Sequence, residues 1–501
     1  MSARITAASV GIVSVAAAGL LSGCASPSET QAIIGGATAT SSLFSNGAFT
    51  EELIQARTFT DGTAVTTRTY LAGDKSRVPL GIDFNGDGRV DPVVAYGGAQ
   101  AVMQILLSDG EPGKVKFISL TLDSKRDMQE LADVAVGDID GDGRLDLVGA
   151  AEGACWYFHH PSSGDTKDLA AWGNTDPEDT LAERIDASNT QLTEGELEAL
   201  IAQAIGPGVN LDDYIVTIEQ LYTNVEIADF DGDGDNDVVA SRLFQILLTP
   251  KPEIPVPPLR INDGDVLVFV NPGFAVNGHN WTAVSVGRHE RQSRLDRDGA
   301  TGLLVYDVDG DGDFDVISAA RDDNNAQIAW FENPGVLSAD VPWKQWRIGS
   351  VRDAQSVELI DADGDGRVDV AATGGKQMQL VLFLQPKDSP KRTYDWDTHV
   401  LAQFETFEPR DVKAVDIDND GAMELVVSGN AGTVRYFERT ADVTRAWTPL
   451  VVANFEPPGN VGLLGYGDFD GDGDVDLVAV IDQELEKDER LVWIRNDLIR
   501  R

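Results

Sequence analysis

The chain has 501 residues, with 83 Asp and Glu against 39 Lys and Arg, a net charge of −44 and a pI near 4.2. A surface this acidic excludes nucleic acid as a partner, because that binding depends on neutralising phosphates with cationic side chains. The length is compatible with a single repeat ring and does not by itself imply several domains.

Residues 1–23 carry one early positive charge, Arg4, an apolar stretch from Ile5 to Leu21, and then Leu21-Ser22-Gly23 before Cys24. This is the pattern of a secretory signal peptide rather than a membrane span. The Leu-Ser-Gly-Cys ending resembles the bacterial lipobox, in which the cysteine becomes the lipidated first residue of the mature chain. That resemblance implies lipidation at Cys24, membrane attachment through acyl chains that bury at about 0.8 kcal/mol per CH₂, and residence in the bacterial cell envelope as an outer-membrane lipoprotein. Residues 24–60, rich in Ser, Thr, Ala and Gly, read as the lipidated cysteine and a flexible tether. Cys155 then remains as the single thiol, so no internal disulfide forms, and in "GACWYFHH" it reads as a small buried hydrophobe.

A strand-like run, Thr63 to Gly73, precedes the first of seven similar loops. In "VGDIDGDGRLDLVGA" aspartates occupy positions 1, 3, 5 and 9 of a nine-residue stretch: Asp138, Asp140, Asp142 and Asp146. Clustered carboxylates repel one another unless a cation sits between them, and alternate acids on a glycine-rich turn suit the six to eight oxygen ligands of Ca²⁺. The same positions hold Asp83, Asn85, Asp87 and Asp91; Asp229, Asp231, Asp233 and Asp237; and Asp307, Asp309, Asp311 and Asp315. They recur as Asp361, Asp363, Asp365 and Asp369; Asp416, Asp418, Asp420 and Glu424; and Asp468, Asp470, Asp472 and Asp476. The residues at position 12 are Val94, Gly149, Ala240, Ser318, Ala372, Val427 and Ala479, so the bidentate Glu of an EF-hand is missing seven times. The flanks are short apolar runs rather than helical stripes, and the loops therefore join strands.

Successive loops start 55, 91, 78, 54, 55 and 52 residues apart, a period that suits four-stranded blades with two expansions. The loops, the "DxVxA"-like strands after them and the endings "VFVNPG" (Val268–Gly273) and "AWFENPG" (Ala329–Gly335) resemble FG-GAP/VCBS repeats. These repeats build integrin alpha-subunit propellers and occur in many bacterial surface proteins. The resemblance, covering roughly Thr63 to the C-terminus, implies an all-β, seven-bladed β-propeller over residues 61–501 with up to seven Ca²⁺ ions. With Asn85 neutral, 27 of the 28 loop ligand positions are acids, which accounts for much of the charge excess. The last blade lacks one strand after "LVWIRNDL", and the expectation is that Thr63–Gly73 completes it, pairing Thr67–Leu71 with Leu491–Asn496 and removing open sheet edges.

Two insertions break the period. The first, about 161–213, shows two helical patterns, "TDPEDTLAERI" and "TEGELEALIAQAIGPG", the latter with a Thr193/Glu196 capping box and an apolar face of Leu197, Leu200, Ile201 and Ile205. The second, "RLFQILLTPKPEIPVPPLRINDGD", is proline-rich and reads as a stiff extended loop. Alternating strand direction places the helical insertion on the face of the calcium loops and the proline-rich one opposite. The opposite face also collects Arg291, Arg294, Arg297 and Arg321, an unusual positive cluster and a candidate ligand face for a protein or glycan partner.

Catalytic motifs are missing: there is no H-E-x-x-H, C-x-x-C or G-x-S-x-G, and paired acids are already explained by calcium. His159 and His160, if adjacent on a strand, point to opposite faces, and Trp281, Trp343 and Trp346 read as blade packing before sugar stacking. The primary expectation is a non-catalytic scaffold for recognition, adhesion or envelope assembly. The alternative is a lectin-like propeller or a relative of polysaccharide lyases or dehydratases.

Overall fold

The computed structural model describes residues 49–58, 65–68, 82–96, 101–111, 116–123, 128–168, 170–172, 182–185, 193–206, 210–273, 281–289, 300–320, 326–392, 395–455, 459–483 and 488–497. Among the described residues, twenty-eight strands form seven four-stranded antiparallel sheets. The first strand of each sheet packs against the first strands of both neighbours, from Val65–Arg68 in blade one to Asn460–Gly467 in blade seven and back to blade one. The result is a closed β-propeller whose sheets stand face to face.

Alternation explains why. Each strand after a loop is apolar on both sides, as in Asp315–Ala320 and Asp369–Gly374, because a blade is covered on both faces by its neighbours. The core is accordingly divided into seven apolar layers, one per blade interface, among the described residues. Between blades four and five, for example, Trp330 and Ile328 meet Val381 and Phe383. Polar bridges fix blade to blade near the axis: Asp133 Oδ2 accepts the Val225 N–H at 3.2 Å, and Asp411 accepts the Leu464 N–H at 2.8 Å and the Ser356 hydroxyl at 2.7 Å.

Blade four follows the sequence expectation strand by strand, with Ala300–Tyr306, Asp315–Ala320, Ala326–Glu332 and Lys344–Val351. An N-terminal strand does close blade seven, but it is Phe49–Thr58, not Thr63–Gly73. Phe49 pairs with Asn496 and Thr58 with Asp488, whereas Thr67 pairs with Val94 as the first strand of blade one. The closing strand thus lies inside the stretch read as tether. Residues 1–48, with Cys24, are outside the described residues.

The insertions also differ from expectation. Ala182–Ile185 is the fourth strand of blade two, so the segment about 161–213 is split rather than being one excursion. Part of the first helical pattern, at Ala182–Ile185, is therefore strand, and the rest of it lies outside the described residues. The helix Glu194–Ile205 forms with its Thr193/Glu196 capping box, but it follows strand four and so lies on the face opposite the loops. There it buries Leu197, Leu200 and Ile201 against Ile246, Leu248 and Ile261. These last three belong to Asp237–Pro250 and Leu259–Val270, strands that replace most of the proline-rich loop and leave only a turn at Lys251–Pro258. The ladder of blade three passes Tyr222/Arg242, where a blade such as the fourth ends, and continues to Tyr214/Pro250. At about 3.3 Å per residue this extension projects some 25 Å away from the loops. A buried bidentate pair anchors its base, Arg242 to Asp265 with both contacts at 2.8 Å, joined by Arg288 on Asp263 at 3.2 Å.

Candidate metal centres

Every loop is wound by its first aspartate. Asp83 Oδ1 accepts the Gly86 N–H and Oδ2 the Gly88 N–H, both at 2.7 Å, and Asp468 repeats the pattern on Gly471 and Gly473 at 2.7 and 3.0 Å. Both glycines sit at positive φ, 74° and 85° in blade one, where a Cβ would be strained. Blade six puts Asn419 in the fourth position at φ 57°, a conformation asparagine tolerates.

The winding brings carboxylates together. Ligand oxygens of Asp138, Asp140 and Asp146 lie within 4.8 Å of one another, as do those of Asp229, Asp231 and Asp237, of Asp307, Asp309 and Asp311, of Asp361, Asp363 and Asp365, and of Asp416, Asp418 and Glu424. The ninth-position acid is held from both sides: in blade one Asp91 accepts the Phe84 N–H on Oδ2 at 2.8 Å and the Ser108 N–H on Oδ1 at 2.7 Å. Burial pushes these acids up against the pull of those N–H groups, Asp91, Asp237 and Asp369 to about 7, and Asp315 and Glu424 to about 8. A charge that protein burial disfavours this strongly is one a cation at the loop centre would stabilise.

Blade seven tests the fit most sharply. Asp470 is fully buried, its Oδ2 has no hydrogen-bond partner among the described residues, and burial with the neighbouring charges of Asp472 and Asp468 pushes it up to about 6. A buried carboxylate oxygen left without a donor costs on the order of 1–3 kcal/mol or more. An all-oxygen donor set of Asp468, Asp470, Asp472 and Asp476 suits a hard divalent ion and not a thiolate-preferring metal.

Sequence reasoning missed the seventh position. It holds Arg89, Arg144 and Arg367 in blades one, two and five, each paired with the fifth-position acid, Asp87, Asp142 and Asp365. It holds a further acid in blades three, four and seven: Asp235, Asp313 and Asp474. The signal was present in the repeats but was read only at alternate odd positions. Two neighbours also went unread. His159 lies 3.5 Å from Asp140 and 3.4 Å from Glu183, and Lys391 donates to Asp309 and, at 2.7 Å, to Glu332.

The strand ends at Phe158, before both histidines: His159 lies against Tyr157, while His160 stacks on Phe84 with Trp172 at its edge. Trp281, Trp343 and Trp346 are buried in the blades. Cys155 is fully buried and its thiol is pushed up by burial. Arg291, Arg294, Arg297 and Arg321 are outside the described residues.

Three segments, 83–179, 307–372 and 411–479, match the family model described as FG-GAP-like repeat. Together these segments, a little under half of the chain, are similar to FG-GAP-like repeats. The matched segments contain six of the seven loops in full and none of blade three, whose strands are the long ones. No curated protein matches the chain. Among solved structures, the Dos1 propeller is similar at a TM-score of 0.40 and 9% identity, covering 80% of this chain and 74% of that one. The C-terminal WD40 domain of Sif2 is similar at 0.40 and 11%, covering 89% and 98%. The propeller assignment itself rests on the seven closed sheets.

Proposed function

We propose that this FG-GAP-repeat propeller is a calcium-stabilised, non-catalytic scaffold for recognition, adhesion or assembly, held outside the cytoplasm by a lipid on Cys24. The observation that carries the calcium reading is the buried, partnerless Oδ2 of Asp470 among further carboxylates. The scaffold reading is supported by the rigid closed ring, which presents loops on two faces, and by the blade-three extension, which adds a feature of its own to the face opposite the metals. The N-terminal motif supports the anchor.

Thermal unfolding of the mature, unlipidated protein with calcium and with chelator, together with metal content by mass spectrometry, tests the first part. A large calcium-dependent rise in melting temperature with up to seven ions per chain is expected; no bound calcium and no shift would sink it. Mass spectrometry of the native N-terminus tests the anchor, an unmodified Cys24 being the contrary result. Binding on a glycan array, or turnover of a bound polysaccharide, would replace the scaffold reading with the carbohydrate one.

A further inference from the structure

The residue that follows strand three is built into two loops at once. In blade three the Asn271 N–H donates to Asp237 Oδ1 at 2.7 Å, the ninth position of its own loop. Its Nδ2 donates at 2.9 Å to the carbonyl of Ile139, the second position of the preceding blade's loop. The Ile139 N–H donates in turn to Asp146 Oδ2 at 3.0 Å. From Asp237 to Asp146, one candidate ligand to the next, three hydrogen bonds run through two residues, Asn271 and Ile139.

The arrangement repeats with different chemistry at the linking position. Asn333 joins Asp315 to the Phe230 carbonyl at 2.8 and 2.8 Å, Gln385 joins Asp369 to Val308 at 2.8 and 2.7 Å, and Asn496 joins Asp476 to Ile417 at 2.7 and 2.8 Å. Arg439 reaches the Ala362 carbonyl at 3.2 Å, and His160, whose N–H is on Asp146 at 2.7 Å, sets Nε2 3.4 Å from the Phe84 carbonyl. In each case the contacted carbonyl belongs to the residue whose N–H is bound by that loop's own ninth-position acid. Five interfaces are linked through both contacts; at the sixth, between blades six and five, the Arg439 side chain supplies the one contact seen among the described residues. At the seventh, the equivalent residue is Ser108, whose hydroxyl donates back to Val90 of its own blade at 3.0 Å; there the Val90 N–H bonds the Asp468 carbonyl at 3.3 Å.

We propose that these residues couple the metal sites, so that calcium loads the loops cooperatively along an open line running from blade seven back to blade one. Resting on the reading of the loops as calcium sites, the mechanism is ordering. An ion that fixes a ninth-position carboxylate fixes the N–H of the linking residue and aims its side chain at the carbonyl of the preceding loop's second residue. The N–H of that same residue is held by the preceding loop's ninth-position carboxylate, so the next ion meets a loop already partly ordered. The line ends at the seam where Ser108 is too short to reach across.

The test is isothermal calcium titration of the purified mature protein and of Gln385→Met, which keeps the side-chain length, removes the amide and cuts the line between loops four and five. The parent protein is expected to titrate with a Hill coefficient above one. The variant is expected to bind the same number of ions with a Hill coefficient nearer one and a midpoint weakened about five-fold or more, the usual size of a coupling between sites. Ser108→Ala, at the seam its side chain does not cross, keeps the backbone N–H on Asp91 and should leave both parameters unchanged. Arg439→Met, at a partly exposed position, decides the matter where Gln385→Met fails to unfold cooperatively in saturating calcium. Identical stoichiometry and Hill coefficient in parent and variants overturn the coupling and leave the calcium reading standing; no ion bound by the parent overturns the calcium reading itself.

Discussion

The loops of blades seven and one are neighbours across the closing seam and share a backbone, yet they are opposite in charge design. Blade seven places Asp468, Asp470, Asp472, Asp474 and Asp476 on its odd positions, while blade one has Asp83, Asn85, Asp87, Arg89 and Asp91. In the first, Asp470 and Asp476 are fully buried; in the second, Arg89 turns back on Asp87 at 2.5 Å and already neutralises part of the site. The same turn can therefore be a demanding metal site or a nearly self-sufficient one, and the difference lies in two side chains, at positions three and seven.

The largest expected effect comes from removing residues 49–58. Without the strand Phe49–Thr58, the edge Asp488–Asn496 of blade seven is bare, and the seam, held by a small apolar layer around Phe469, Trp493, Val90 and Leu106, loses its clasp. Thermal unfolding should drop by more than 10 °C or lose cooperativity, roughly what several kcal/mol would do; an unchanged transition would show that the ring does not depend on this closure.

Next is the contrast between the two loops themselves. Asp470→Asn should cost about 3 kcal/mol in calcium at 100-fold above its dissociation constant, the full linkage of one lost site. Asp87→Asn should cost under about 1 kcal/mol, being exposed and already paired. In chelator the sign should invert for Asp470→Asn, because a buried charge without a partner has been removed. Chemical denaturation in both buffers measures this, and equal losses for the two variants would erase the distinction.

The metal-free protein should also answer to pH. Asp91, Asp237 and Asp369 at about 7, and Asp315 and Glu424 at about 8, hold protons more tightly folded than unfolded. Their contribution is fully present below the unfolded carboxylate range and is lost as pH rises through 7 to 8. The melting temperature in chelator should thus fall between pH 6 and pH 9. With saturating calcium the slope over that range should flatten, since the ion takes the proton's place; a flat profile in chelator would contradict the raised values.

The smallest effect expected is a gain. Arg89→Asp gives blade one the seventh-position acid of blade seven, and its calcium affinity should rise several-fold with little change in the fold. Calcium titration in a background lacking the Asp470 site would resolve it, and no gain would mean that position seven does not tune the site.

Much of this was legible in the sequence because the information is local. A metal loop is nine residues long, its glycines and alternating acids set its turn, and seven copies fix the period and hence the blade count. The capping box of the helix was equally local. What the sequence left undecided depended on who lies beside whom. Thr63–Gly73 read as the closing strand and Phe49–Thr58 as part of the tether, and only the pairing of Phe49 with Asn496 and of Thr67 with Val94 decided which closes the ring. The run through Ile246 and Leu248 became strand rather than loop because a helix from another connection covers it. Asn271, Asn333, Gln385 and Asn496 were visible as strand endings, but their second bond crosses to a blade about 75 to 130 residues earlier. By itself the sequence determined the repeats, the charge and the ligand-bearing turns, since each is a short-range property of the chain. The tertiary structure decided closure, the direction of the blade-three extension and the contacts between loops, because sheet register and packing join residues that no local pattern relates.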